Sequence, residues 1–317
     1  MYRKEIKVMD CTVRDGGLQN KWQFSDKFVK AIYDGCVEAG VDYMEIGYKS
    51  SENAYSKTEN GPWKFCEEED LRRIVGDNNT SLKLSAMADI GRIDFDDIPH
   101  KKDSVLDMIR VACYDYQIDK GIALAEHCMV KGYETTINLM AVSTVNELAL
   151  DEVLASVAKS KVPTFYLVDS FGSMYAEEIQ HLMNKYLNAL PGKTIGFHGH
   201  NNMQLAFANT IETIKLGANM LDGTILGLGR GAGNCGTELL LTYLKNPKYR
   251  VKPIIKVIQD EMIPLQKELD WGYFIPYMIT GYLNEHPRSA IKWMDSEQKD
   301  DYMTFFDQII DSRTHLE

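Results

Sequence analysis

Two histidines separated by a single glycine, His198-Gly199-His200, give the clearest chemical signal in the chain. In an extended strand residues i and i+2 share a face, so both imidazoles can reach one ion. One carboxylate added to such a pair makes a two-histidine, one-carboxylate set with open positions. That donor set suits Mn2+, Mg2+, Fe2+ or Zn2+ and leaves room for a chelating substrate. The cluster Thr12-Val13-Arg14-Asp15-Gly16-Gly17 offers the carboxylate, Asp15, with the guanidinium of Arg14 beside it. Alone, the histidine pair reads equally well as two satisfied buried side chains, and Arg14 with Asp15 can be an ion pair that merely shapes a loop. Together the two clusters favour a metal centre.

Something must bring residue 15 next to residue 200. Eight short apolar segments rich in β-formers can be read in order: 6–10, 43–48, 82–88, 105–113, 135–142, 164–170, 194–198 and 219–226. Their starts lie 23 to 39 residues apart, close to the repeat of a βα unit. Between them 26–39, 67–75, 120–131, 145–160, 176–190 and 205–216 carry an apolar stripe at helical spacing. A doubly wound sheet gives the same alternation, but it brings a Gly-rich phosphate turn after its first strand. No GxGxxG follows 6–10, so the pattern predicts an α/β fold, a (β/α)8 barrel. The 317 residues exceed the roughly 250 that a barrel needs. Beyond about residue 245 the strands stop and aromatic helical segments begin, at 254–269, 271–277 and 302–310. The expectation is a catalytic barrel over 1–245 and a helical extension over 246–317 packed on it.

Composition narrows the function. Hydrophobic residues make up 44% and charged residues 26% of the chain, as in an ordinary soluble globular protein. The net charge of −11 and the absence of a basic block argue against nucleic acid as a partner. The longest run free of Asp, Glu, Lys and Arg, 194–211, is studded with His, Asn and Gln and cannot span a membrane. No apolar leader precedes the first strand. The six cysteines show no CxxC spacing, as expected of reduced, buried thiols in a cytoplasmic enzyme.

Barrel active sites form at the C-terminal ends of the strands. The polar residues that close them are Arg14-Asp15, Glu45 with Tyr48-Lys49, Asp169-Ser170, His198 to Asn202, and the turn from Gly229 to Glu238. Glu45 either bonds to water on the metal, orients Arg14, or forms a plain buried ion pair. Lys49 binds a substrate anion or is a solvated loop lysine. Asp169 holds a ligand or substrate, or caps the following helix. The glycines of 227–234 either present backbone N–H groups near the metal or serve a tight turn.

Three elements, Asp10-Cys11-Thr12-Val13-Arg14-Asp15-Gly16-Gly17, His198-Gly199-His200-Asn201-Asn202 and Gly227-Leu228-Gly229-Arg230-Gly231-Ala232-Gly233-Asn234, together resemble the metal-dependent aldolase/lyase barrel family. That family includes 4-hydroxy-2-oxovalerate aldolase, hydroxymethylglutaryl-CoA lyase and the isopropylmalate, homocitrate and citramalate synthases. Asp169-Ser170-Phe171-Gly172-Ser173-Met174 is similar to the turn of the hydroxy-oxo-acid aldolases. The resemblance implies metal ligation by Asp15, His198 and His200, with Asn234 as a fourth ligand. Mn2+ is expected first, with Mg2+, Zn2+ or Co2+ as alternatives, and Glu45, Lys49, Asp169 and Ser170 are the expected substrate contacts from their places at the strand ends. Arg14 would stabilise the enolate oxygen of pyruvate, a donor whose loss typically costs about 10²–10³ in rate.

The pattern breaks at one point. Those aldolases carry a histidine three residues after the ligand Asp, as base for the 4-hydroxyl proton, and here Leu18 stands there. Tyr273, similar to the aldolases' C-terminal tyrosine, and His286 are the expected replacements, unless both are ordinary packing residues. The expected activity is metal-dependent aldol cleavage or formation of a 4-hydroxy-2-oxo acid. The alternatives are a Claisen-type condensation of an acyl-CoA with a 2-oxo acid and a non-catalytic metal-binding barrel. A homo-oligomer is expected, and the aldolase resemblance adds an aldehyde dehydrogenase as a partner.

Overall fold

The structure, a computed structural model, describes residues 2–314; Met1 and residues 315–317, the outer ends of the expected barrel and extension, lie outside the described residues. Eight parallel strands close on themselves in chain order. They are β1 Lys7–Asp10, β2 Tyr43–Tyr48, β3 Lys83–Asp89, β4 Met108–Cys113, β5 Glu134–Leu139, β6 Thr164–Asp169, β7 Thr194–Gly199 and β8 Met220–Gly223. The ring is sealed where β1 pairs with β8, Lys7 opposite Met220 and Asp10 opposite Gly223. This is the expected (β/α)8 barrel with helices after it.

Helices α1 Thr12–Asn20, α2 Asp26–Ala39, α3 Glu68–Val75, α4 Ile118–Val130, α5 Glu147–Lys159, α6 Ala176–Ala189, α7 Ala206–Leu216 and α8 Thr237–Leu244 surround the strands. Each end has a local cause, as α2 shows. Ser25 caps its start by accepting from the Phe28 N–H, and Gly40 ends it in the left-handed region at φ 73°. Its apolar face, Phe28, Val29, Ile32 and Cys36, packs into the main core between helices and barrel.

The differences from the sequence reading are informative. The segment 12–20 is a helix rather than a strand end, so Arg14 and Asp15 stand on its first turn. The eighth strand stops at Gly223, and Leu226 adopts φ 54°. The sequence Thr-Glu-Leu-Leu-Leu-Thr-Tyr-Leu at 237–244 is a helix whose first two residues overlap the expected turn 229–238; its apolar residues run nearly all round, so no stripe marks it.

Inside the barrel, alternate side chains stack in layers. Met9, Tyr43, Met108, Tyr166 and Met220 form an apolar cluster apart from the main core. Two residues further along β2, β4 and β8 come Glu45, Arg110 and Asp222, all buried. After α8, α9 Val251–Val257, a π-helical turn Ile258–Met262 and α10 Ile263–Leu265 follow. Ile254, Val257, Met262 and Trp271 join the barrel's own core. α11 Ile275–Tyr282, α12 Arg288–Met294 and α13 Tyr302–Thr314 build a second core around Tyr277, Trp293 and Phe305. Ala232 of the loop after β8 joins this second core. No helix among the described residues is long and apolar enough to cross a membrane.

Gly17 shows why α1 tolerates no larger side chain there. A Cβ would meet Trp22 Cδ1 at 2.0 Å, and Trp22 itself is fixed by donating from Nε1 to the Arg14 carbonyl at 2.9 Å. Gly17→Ala is expected to lose about 1–3 kcal/mol of stability through overpacking, measured as a lower urea midpoint at unchanged m-value.

Candidate metal centre

Three elements bring the sequence-predicted ligands together: the first turn of α1, the end of β7, and the loop after β8. Asp15, His198 and His200 each offer a ligand atom within 4.8 Å of the others, and all three side chains are buried. The two imidazoles lie 5.1 Å apart at 80° to each other, presenting different edges to one point. His200 bridges in antiparallel fashion to Asn234. Gly229 is the floor that lets Asn234 in, since a Cβ there would stand 2.5 Å from Asn234 Nδ2 and 3.2 Å from Asp15 Oδ1.

The hydrogen-bond ledger at this point does not close. His198 Nδ1 lies 3.0 Å from Asp222 Oδ2, which turns Nε2 toward Asp15; burial lowers the imidazole, but the two carboxylates outweigh it and raise His198 above its ordinary value. Nε2 sits 3.2 Å from Asp15 Oδ2, yet it lacks a partner of hydrogen-bond geometry, as do His200 Nδ1 and both amide atoms of Asn234. Orphaned buried polar atoms each cost about 1–3 kcal/mol, and native interiors hold few of them. Here they cluster. A divalent cation bonded to carboxylate oxygen and imidazole nitrogen accounts for that arrangement.

Behind the ligands runs a dry chain of alternating charge. Arg14 donates from Nη1 to Asp15 at 2.7 Å and from Nε to Glu45 Oε2 at 2.6 Å. Arg110 donates to the same Glu45 oxygen at 3.0 Å and to Asp222 Oδ2 at 2.6 Å, with its guanidinium 4.4 Å from the Tyr166 ring centroid. Burial alone would raise the Asp15 carboxyl, but Arg14 and the two histidines hold it well below the usual range. Burial likewise opposes the charge on Asp222, and Arg110 with His198 brings it down to about 2. Burial pushes His200 well below its ordinary value, so that ring is neutral and able to ligate.

The other sequence-predicted residues are placed differently. Glu45 gives Oε2 to both arginines, while its Oε1 is buried without a partner. Lys49 turns to Glu67, at 3.3 Å, and the Cys66 carbonyl. Asp169 accepts the Ser173 and Met174 N–H groups, so it caps the turn after β6, and burial pushes its carboxyl up to about 6. Ser170 Oγ accepts the Ala141 N–H. Tyr273 is 55% exposed; Tyr277 instead packs on the loop, against Gly231. His286 does come to the barrel mouth, where its Nε2 meets Arg230 Nη1 at 3.2 Å. Leu18, three residues past Asp15 on α1, is 39% exposed and brings no titratable group.

Arg110, Asp222, Arg230 and Lys64 escaped the sequence reading. Charges inside the otherwise apolar strands Met-Ile-Arg-Val-Ala-Cys and Met-Leu-Asp-Gly were the available signal, because such charges are buried only when paired. Lys64 is caged by the rings of Trp22, Tyr48 and Tyr55, each about 4 Å from Nζ. Burial pulls its amine down to about 8.

Two expectations follow. Arg110→Met leaves Glu45 with Arg14 alone and Asp222 with His198 alone, and equilibrium unfolding should show a loss of about 3 kcal/mol. For Lys64 the folded pKa lies below the unfolded 10.5, so the unfolded chain binds more protons between about pH 8 and 10.5. Stability should rise over that window, by on the order of 3 kcal/mol. Lys64→Met should flatten the rise in a pH series of denaturation curves.

With this geometry in hand, similarity to known proteins is specific. The HMGL-like family model matches residues 5–260. The chain is 34% identical over 251 residues to an oxaloacetate decarboxylase of Mycobacterium tuberculosis, covering 76% of this chain and 70% of that one. It is 30% identical over 265 residues to a 4-hydroxy-2-oxovalerate aldolase of Pelotomaculum thermopropionicum, covering 83% and 76%. Among solved structures, the N-terminal domain of a protein provisionally named an aldolase, from Bacteroides vulgatus, superposes with a TM-score of 0.81 at 31% identity, covering 93% of this chain and 98% of that one. A closed barrel, a buried Asp-His-His cluster and a family match over most of the length agree: the chain belongs to the HMGL-like family of lyases and aldolases.

Proposed function

We propose that the protein is a divalent-metal-dependent carbon–carbon lyase that breaks the C3–C4 bond of a 2-oxo acid and leaves pyruvate. The observation that carries this reading is the bare His198 Nε2 beside Asp15 Oδ2. Asp15, His198 and His200 are the ligands in this proposal, with Asn234 as the fourth. The cation, when bound, supplies Lewis acidity toward the oxo and carboxylate oxygens of the substrate.

The chain's own groups do the rest. Asp222 holds His198 with Nε2 facing inward. Glu45 and Asp15 fix Arg14 before substrate arrives, so the guanidinium stabilises negative charge growing on the C2 oxygen without reorganising. The C3–C4 electron pair moves into C2–C3 while the carbonyl pair moves onto oxygen. C3 then takes a proton to complete the methyl group of pyruvate.

What leaves from C4 sets the need for a base. A 4-hydroxy-2-oxo acid releases an aldehyde and must give up its hydroxyl proton. This is the aldolase reading, supported by the aldolase relatives. A carboxylate at C4 leaves as CO2 and needs no base. Two observations favour that second reading. Leu18 brings no titratable group to the α1 face, and His286, pulled down to about 3 by burial and by Arg230 and Arg288, is a poor proton acceptor. Catalytic function over 1–245, with the extension covering its mouth, a cytoplasmic location, self-association and a dehydrogenase for the aldehyde belong to the same proposal.

Metal-stripped protein should release no pyruvate from oxaloacetate or from 4-hydroxy-2-oxovalerate, and added Mn2+ should restore release; turnover that survives chelation would reject the mechanism. Asp222→Asn should weaken Mn2+ binding by about 10–100-fold, read as a smaller Mn2+-dependent rise in Tm.

A further inference from the structure

Three arginines reach the interior of the barrel mouth, and two of them are answered. Arg14 pairs with Asp15 and Glu45, and Arg110 with Glu45 and Asp222. Arg230 has no carboxylate within ion-pair distance among the described residues. Its Nη2 donates to the Ser170 carbonyl at 2.7 Å and its Nη1 meets His286 Nε2 at 3.2 Å. Its Nε is buried with no acceptor. The backbone N–H of Arg230 reaches Asp15 Oδ1 at 3.3 Å, so this guanidinium belongs to a residue that touches a proposed metal ligand.

Both partners of the side chain are neutral. Ser170 offers a carbonyl. His286, packed edge-on against Phe171 at 5.7 Å, has its other nitrogen 3.2 Å from the Arg288 N–H, and a neutral ring accepts at only one of its two nitrogens. In either tautomer the ring brings no negative charge. A half-buried guanidinium without a carboxylate partner keeps part of its desolvation cost.

Charge balance gives the missing partner its sign and size. Among the groups that touch one another around the ligands, three arginines face three carboxylates, Asp15, Glu45 and Asp222. A divalent cation then leaves two positive charges unmatched. A 2-oxo monoacid supplies one negative charge and a 2-oxo diacid supplies two. Planar, forked donors such as guanidinium are suited to carboxylate.

We propose that Arg230 is a specificity-determining residue that binds a second carboxylate on the substrate, making the substrate a 2-oxo diacid. This rests on the reading that the Asp15–His198–His200 centre binds a 2-oxo acid. It holds for either leaving group: loss of CO2 from a 2-oxo diacid, or aldol cleavage in which the aldehyde fragment carries the carboxylate.

Binding of malate and lactate separates the inference from the activity, because the pair differs in the second carboxylate and neither is cleaved. At saturating Mn2+ the native protein should bind malate at least about 10-fold more tightly than lactate. Arg230→Gln should weaken malate by about 10–100-fold and lactate by less than about 3-fold, at unchanged Mn2+ affinity, and Arg230→Lys should recover part of the loss. Equal losses for both ligands, no malate preference in the native protein, or a fall in Mn2+ affinity in Arg230→Gln would each overturn the assignment. Failure of the lyase reading looks different: malate binds in an Arg230-dependent way, yet neither oxaloacetate, 4-hydroxy-2-oxoglutarate nor 4-hydroxy-2-oxovalerate yields pyruvate.

Discussion

A single oxygen, Glu45 Oε2, accepts from Arg14 Nε and Arg110 Nη1 at once, and the rest of the centre hangs on that junction. From it the chain of contacts runs outward to Asp15 on one side and through Asp222 to His198 on the other. Each member is nearly or fully buried, so each charge depends on the next for compensation. Few rearrangements keep all of them paired, which is how side chains from β2, β4, β8, β7 and α1 are held in one geometry. Asp15 and His198, at the two ends of this chain, are thereby held in fixed orientations.

The same economy explains why several residues that looked like substrate contacts are not free to be so. Asp169 and Ser170 stand where barrel chemistry is expected, but the turn after β6 uses both to satisfy backbone N–H groups. A turn of that shape must bring its own acceptors, because its N–H groups are buried away from water. Lys49 lies one residue past β2 and is drawn sideways by Glu67. Arg230, by contrast, keeps an unspent charge because its loop contains no acid; the residues around it are glycine, alanine and asparagine.

The helical extension is part of the site's architecture. Asn284 accepts from Ser173 Oγ at 2.8 Å and donates to the Ser143 carbonyl at 3.0 Å, tying the extension to the loops after β5 and β6. His286 follows two residues later and meets Arg230. The extension therefore walls the mouth near the metal residues rather than hanging beside the barrel. On α1, Leu18 brings no titratable group one turn past Asp15.

Much of this was legible in the sequence. Strand-helix alternation announced the barrel, because a repeating βα period has few closed solutions. His198-x-His200 and Asp15 pointed to a cluster of possible ligand atoms, and folding brings those three side chains within 4.8 Å of one another. Tertiary structure alone decided the partners. That Arg110 answers Glu45 and Asp222, across 65 and 112 residues of chain, is a matter of strand register and barrel closure, which no local spacing encodes. Nor could spacing tell a capping Asp169 from a substrate-binding one, an exposed Tyr273 from a buried Tyr277, or a paired arginine from an unpaired one. Those distinctions depend on what each side chain meets after folding, and burial makes the energy of that meeting decisive.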